Sequence, residues 1–102
     1  MIHVIATIEL NPGMREAFLK EFHQLIPQVL AEDGCLEYRS AIDLASGLAA
    51  QPPNRDDVVT VVEKWQSLDH LKSHLTAPHM KDYRETVKSM VVGTKLSILE
   101  PA

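Results

Sequence analysis

The segment VVTVVEKW, Val58–Trp65, is rich in β-branched residues and carries apolar side chains on both of its alternating sides. A strand of that kind needs cover on both faces, which predicts an interior position in a sheet. The opening segment Ile2–Leu10 has a related pattern. Ile2, Val4, Ala6, Ile8 and Leu10 recur at a period of two, with His3, Thr7 and Glu9 between them, so it is expected to be a strand.

The residues between and after these strands follow a helical period. From Met14, the side chains of Phe18, Phe22, Leu25, Ile26, Val29 and Leu30 recur as one face of a helix. Asn11 and Pro12 suit its start, Pro27 should bend or divide it, and Gly34 suits its left-handed end. Cys35–Leu44 reads as a second strand, with Leu36, Tyr38, Ile42 and Leu44 on one side and Glu37, Arg39 and Asp43 on the other. Ala45–Asp57, with its glycine, prolines and Asn54, reads as a long connection. After Trp65, Ser67 is a candidate N-cap for a helix with Leu68, Leu71 and Leu75 on its buried stripe. Pro78 starts a second helical segment running to Gly93, and Lys95–Leu99 is expected to be the last strand.

The order β-α-β-β-α-β predicts an α+β fold of the ferredoxin-like type, one domain over residues 1–102, with helices on one face of an antiparallel sheet. Helices can cover only one sheet face. The apolar residues on the other face therefore predict a homodimer that buries the two open faces together.

Charge and length exclude several classes of function. A net charge of −4 without a basic run argues against nucleic-acid binding. The longest apolar runs fall far short of the roughly 20 residues a membrane span requires. The opening residues lack the features of a secretory leader, and the expected location is the cytoplasm. Cys35 is the single cysteine, so it can form no intrachain disulfide and reads as a packing residue.

Three of the five histidines lie in HLKSHLTAPH, His70–His79. The spacing of His70 and His74 would let two imidazoles share a helix side, as in zinc proteases, but the Glu of that motif is replaced by Leu71 and a full ligand set is missing. No metal is expected. At about 100° per residue, His74 borders the buried stripe and His70 lies almost opposite it, facing water. His74 can then be a satisfied boundary residue or a functional one, and His79 can cap a helix or project into a cleft. Trp65, Tyr38, Tyr83 and Met80 can be core residues or cavity walls. The isolated glycines form no phosphate-binding loop, and no serine sits in a nucleophile elbow.

NPG before the first helix, EDGCLEY entering the second strand, EKW ending the third and HLKSHLTAPHMKDY after it together resemble the antibiotic biosynthesis monooxygenase (ABM) domain family, nearest its stand-alone bacterial quinol monooxygenases. The resemblance covers essentially the whole chain. It implies a dimeric α/β barrel that oxidises small aromatic quinols or phenols to quinones with O2 and without metal or prosthetic group. On that reading His74, or else His79, is the base. Trp65, Tyr83, Tyr38 and Met80 shape the substrate cavity, and Arg39 or Arg84 stabilises anionic charge.

Two branches of the same fold give other readings. The haem-degrading branch uses an Asn and a His where this chain has Thr7 and Arg84, which argues against haem. An isomerase of a phosphorylated carbonyl signalling compound shares a run close to APHMK, and there Lys81 or Arg84 would meet phosphate. A non-catalytic dimer that binds an aromatic ligand is the third reading.

Overall fold

The computed structural model describes residues Met1–Ala102. Strand β1 spans Ile2–Leu10, helix α1 Arg15–Leu30, strand β2 Cys35–Ala41, strand β3 Val58–Trp65, helix α2 Leu68–Leu75, helix α3 Pro78–Val87 and strand β4 Val91–Leu99. The strands form one sheet in the order β2-β3-β1-β4, with every neighbouring pair antiparallel. This is the expected ferredoxin-like arrangement. The sheet is open within one chain, with β2 and β4 as edges, and is not itself a closed barrel. No helix is long and apolar enough to cross a membrane.

The alternation in β1 and β3 has its expected consequence. Val4, Ala6, Ile8 and Leu10 of β1 and Val59, Val61, Glu63 and Trp65 of β3 are buried on the helix side. Phe18, Phe22, Leu25 and Val29 of α1 pack onto them, with Leu71, Met80 and Val87 completing the core. Each such fully buried aliphatic or aromatic side chain contributes about 1.5–3 kcal/mol of transfer free energy. That contribution explains why Pro27 lies inside α1 without dividing it. Its missing N–H removes one helical hydrogen bond, but buried Leu25 and Val29 flank it and hold both halves against the sheet.

Four local features depart from the sequence reading. The N-cap of α1 is Met14, without a side-chain cap bond, while Asn11 donates from Nδ2 to the Ser89 carbonyl and ties the start of α1 to the turn before β4. Strand β2 stops at Ala41, because Asp43 takes up a two-pronged pairing with Arg55 at 2.9 Å and turns the chain into the loop. The pairing of β2 with β3 slips between Cys35 and Glu37, which turns Leu36 out to solvent while Tyr38 stays buried. Finally α3 ends at Val87 and β4 starts at Val91, so Val91 belongs to the sheet rather than to a helix.

The helices cover β2, β3 and β1 but stop short of β4, where Leu96 and Ile98 remain exposed. The opening that this leaves between α2, α3 and the sheet is the candidate site.

Candidate active site

The turn between α1 and β2, Glu32–Gly34, gathers the histidines. Glu32 lies just after the last turn of α1, and its carboxylate accepts from His74 Nδ1 at 2.9 and 3.1 Å through its two oxygens. The same Oε2 takes His79 Nε2 at 2.7 Å. His70 bonds the Ser67 hydroxyl through Nδ1 at 2.7 Å, approaches Asp33 at 3.4 Å and lies against Gly34. Gly34 has φ +81, and a Cβ there would run into the His70 ring, so both backbone conformation and space call for glycine. His70 is thus a packing residue of this turn rather than a fully solvated one.

His74 is 2% exposed. Trp65 lies 4.6 Å away, centroid to centroid, and Tyr38 approaches edge-on at 5.5 Å. Burial pulls the His74 pKa below its ordinary value, against the opposing pull of Glu32. A carboxylate can only accept, so Nδ1 carries the proton and Nε2 presents its lone pair.

His74 lines a cavity of about 430 Å³. Its walls are mostly apolar: Ala6, Ile8, Phe22, Val61, Met80 and Leu96 contribute, with the phenols of Tyr38 and Tyr83. Burial raises both phenol pKa values, so these groups stay protonated and act as hydrogen-bond donors rather than bases. Arg84 and Lys88 are exposed residues on its lining, Arg84 being tied through Nη2 to the Leu75 carbonyl at 2.8 Å. Such a chamber suits a flat apolar molecule with an acidic hydroxyl. No group of three or more His, Cys, Asp and Glu side chains is arranged to hold a metal ion.

The model of the family described as "Antibiotic biosynthesis monooxygenase" matches residues 1–86. The chain belongs to this monooxygenase family. It is 42% identical over 103 residues to "Probable quinol monooxygenase YgiN" of Escherichia coli (strain K12), covering 99% of this chain and 98% of that one, and equally similar to the Shigella flexneri protein of that name. Solved structures agree in fold. PA3566 from Pseudomonas aeruginosa superposes with a TM-score of 0.81 at 24% identity, covering 99% of this chain and 93% of that one. Rv0793 from Mycobacterium tuberculosis gives 0.79 at 25%, covering 99% and 94%.

In this ABM-family chain the candidate residues divide clearly. His74, Tyr38, Tyr83, Met80 and Arg84 meet in one cavity. Trp65 does not line it. It is fully buried behind His74 and supports that ring instead of forming a wall for substrate. His79 faces a different groove, beside Gln28 and Asp82, and touches the site only through Glu32. Arg39 is on the opposite face of the sheet, its side chain 69% exposed and paired with Glu37 at 2.8 Å, too far round to meet a charge in the cavity. Cys35 is half-buried with its thiol pushed up to about 11, chiefly by burial, as suits a packing residue.

Sequence reasoning missed Glu32 and Glu63. Glu32 is 42 and 47 residues from its histidine partners, beyond any local periodicity. The one available signal was chemical: an acidic pair, Glu32 and Asp33, in a chain with three histidines in one short segment. Glu63 stands in the quoted EKW run, two residues from Trp65 and on the same side of β3, and alternation alone marked it as a carboxyl on an apolar face.

Proposed function

We propose that this chain oxygenates small aromatic quinols or phenols with O2, without a bound cofactor, and that His74 is the base. The observation that carries this reading is a buried His74 with Nδ1 engaged by Glu32 and Nε2 free beside an apolar cavity. The family membership and the similarity to a probable quinol monooxygenase support it.

The chemistry asks little of the protein. Neutral His74 takes the hydroxyl proton through Nε2, and Glu32 stabilises the imidazolium that results. The anion left behind is electron-rich enough to give one electron to O2, and the resulting radical pair combines at a ring carbon. The apolar walls exclude water from these steps. One oxygen atom enters the ring as a carbonyl and the other leaves as water. The phenol and 1,4-quinol cases both balance, the latter giving a hydroxyquinone.

The working unit is a homodimer joined through the open sheet faces. Half-buried Ile5, Val58 and Val62 and exposed Leu99 on that face supply the apolar surface. Two open sheets joined in this way make the barrel.

Oxygen uptake by metal-stripped protein with a 1,4-naphthoquinol tests the reading against spontaneous oxidation. Protein-dependent uptake that falls about 10²-fold or more in His74→Ala is the expected result; uptake no faster than without protein overturns it. Arg84 and Lys88 favour one competing reading, a phosphorylated carbonyl substrate isomerised by the same histidine. That activity would continue without oxygen, whereas the oxygenase would stop.

A further inference from the structure

The base accounts for one of the two proton tasks that oxygenation sets, and the same cavity holds a second buried titratable group. Glu63 is 6% exposed and lines the chamber with His74. One carboxyl oxygen, Oε1, accepts the indole N–H of Trp65 at 2.9 Å, and the other makes no hydrogen bond within the protein. On the sheet its neighbours are Tyr38 of β2 and Val4 of β1. His74 of α2 and Tyr83 and Arg84 of α3 line the chamber with it, as does Lys88 just after α3. Glu32 adds negative charge from the α1–β2 turn. No cation pairs with Glu63. Burial first, and Glu32 second, outweigh the Trp65 hydrogen bond and push its pKa up to about 7.

Trp65 joins the two groups. Its ring lies against His74 and its N–H holds Glu63, so one buried side chain fixes both the base and the carboxyl relative to the cavity. Environments that drive one group to lose its proton and its neighbour to keep one are how acid and base roles are divided in a single site.

We propose that Glu63 is the proton donor of the oxygenation, delivering a proton to the oxygen adduct through its free carboxyl oxygen, an assignment that rests on the oxygenase reading of this cavity. His74 holds the hydroxyl proton of the substrate, and O2 has formed a C–O bond at a ring carbon, leaving a peroxide anion. Glu63 gives its proton to the outer peroxide oxygen. The C–H bond at the same ring carbon then breaks, its proton returning to Glu63 and its electron pair forming C=O as the O–O bond breaks. The departing hydroxide takes the proton held by His74 and leaves as water. Both side chains end as they began, and O2 is reduced by four electrons from one substrate molecule.

If the peroxide is not protonated in place, its C–O bond breaks to return semiquinone and superoxide. The semiquinone then gives its second electron and remaining hydroxyl proton, His74 returns the first proton, and the products become quinone and hydrogen peroxide, a two-electron oxidation that also balances. Glu63→Gln makes that distinction measurable, because its amide oxygen can still accept from Trp65 while the side chain cannot serve as an acid. With 1,4-naphthoquinol, the wild type is expected to give hydroxynaphthoquinone with little peroxide. Glu63→Gln should form that product about 10²-fold more slowly and release peroxide in its place. Glu63→Asp, which keeps a carboxyl group, should recover part of the coupling, a rescue that a purely structural role in holding Trp65 would not require.

Wild-type turnover with Glu63→Gln equally coupled overturns the role of Glu63 alone. A wild type that consumes oxygen no faster than the blank overturns the oxygenase reading and this role with it. A wild type that makes peroxide and no hydroxylated product overturns the proton-donor step while leaving His74 as base.

Discussion

Glu37 and Glu63 lie close together on paired strands, yet they face opposite sides of the sheet and have opposite surroundings. Glu37 is on the open face, bonded to Arg39 at 2.8 Å and Lys64 at 3.2 Å. Glu63, paired across the ladder with Tyr38, is on the helix face among apolar side chains with one indole N–H for company. One residue step along a strand turns a side chain from one face to the other. That step separates a carboxylate held by cations from a carboxyl whose proton is retained to about pH 7.

The sharpest way to break this contrast is to place a charge on each face of β3. Val61→Asp puts a carboxylate among core side chains and should cost upwards of about 4 kcal/mol, enough to unfold much of the population in a thermal melt. Val62→Asp should leave the protomer folded and, if two copies pair through the open faces, shift the protein toward monomer in sedimentation. Equal unfolding by both would mean that the faces do not differ as described.

Removing the two glutamate charges gives a smaller pair of effects. Glu63 has a folded-state pKa raised from 4.5 to about 7, so its favourable contribution is complete below pH 4.5 and is lost as pH rises to about 7. Glu63→Gln should therefore gain stability over the wild type by on the order of 3 kcal/mol at pH 8 and much less at pH 5, measured by urea unfolding at both. Glu37→Gln should lose no more than about 1 kcal/mol, as expected for a surface pair. A Glu63→Gln protein with no pH-dependent gain would show that the carboxyl is not desolvated.

The finest test uses His74. Its folded-state pKa is lowered, chiefly by burial, so the unfolded chain binds more protons just below pH 6.5 and stability should fall as pH drops through that point. In the wild type, Glu63 works in the opposite direction over part of the same range. The His74 slope should stand out in a Glu63→Gln background and vanish when His74→Gln is added.

Most of the fold was legible because it depends on local periodicity. The alternation in Ile2–Leu10 and Val58–Trp65 and the helical spacing of Phe18, Phe22, Leu25 and Val29 each describe one face of one element. Pro27 does not divide α1, because core burial on both sides of it outweighs the local penalty. Arg39 misled: alternation had already set it opposite Tyr38, so the two could not serve one cavity. His74 was placed at the border of a buried stripe and is buried, while His79 was drawn to the site only at second hand, through Glu32.

Local periodicity alone set the order of elements, the inward face of β1 and the presence of His74 on the buried side of α2, because these follow from periods of two and about 3.6 residues. Only the tertiary structure decided that Glu32 would orient His74, that Trp65 would lie behind that ring, and that Glu63 would share its cavity. Those relations join residues far apart in the chain or depend on the cover of a neighbouring element, and no period along one segment records them.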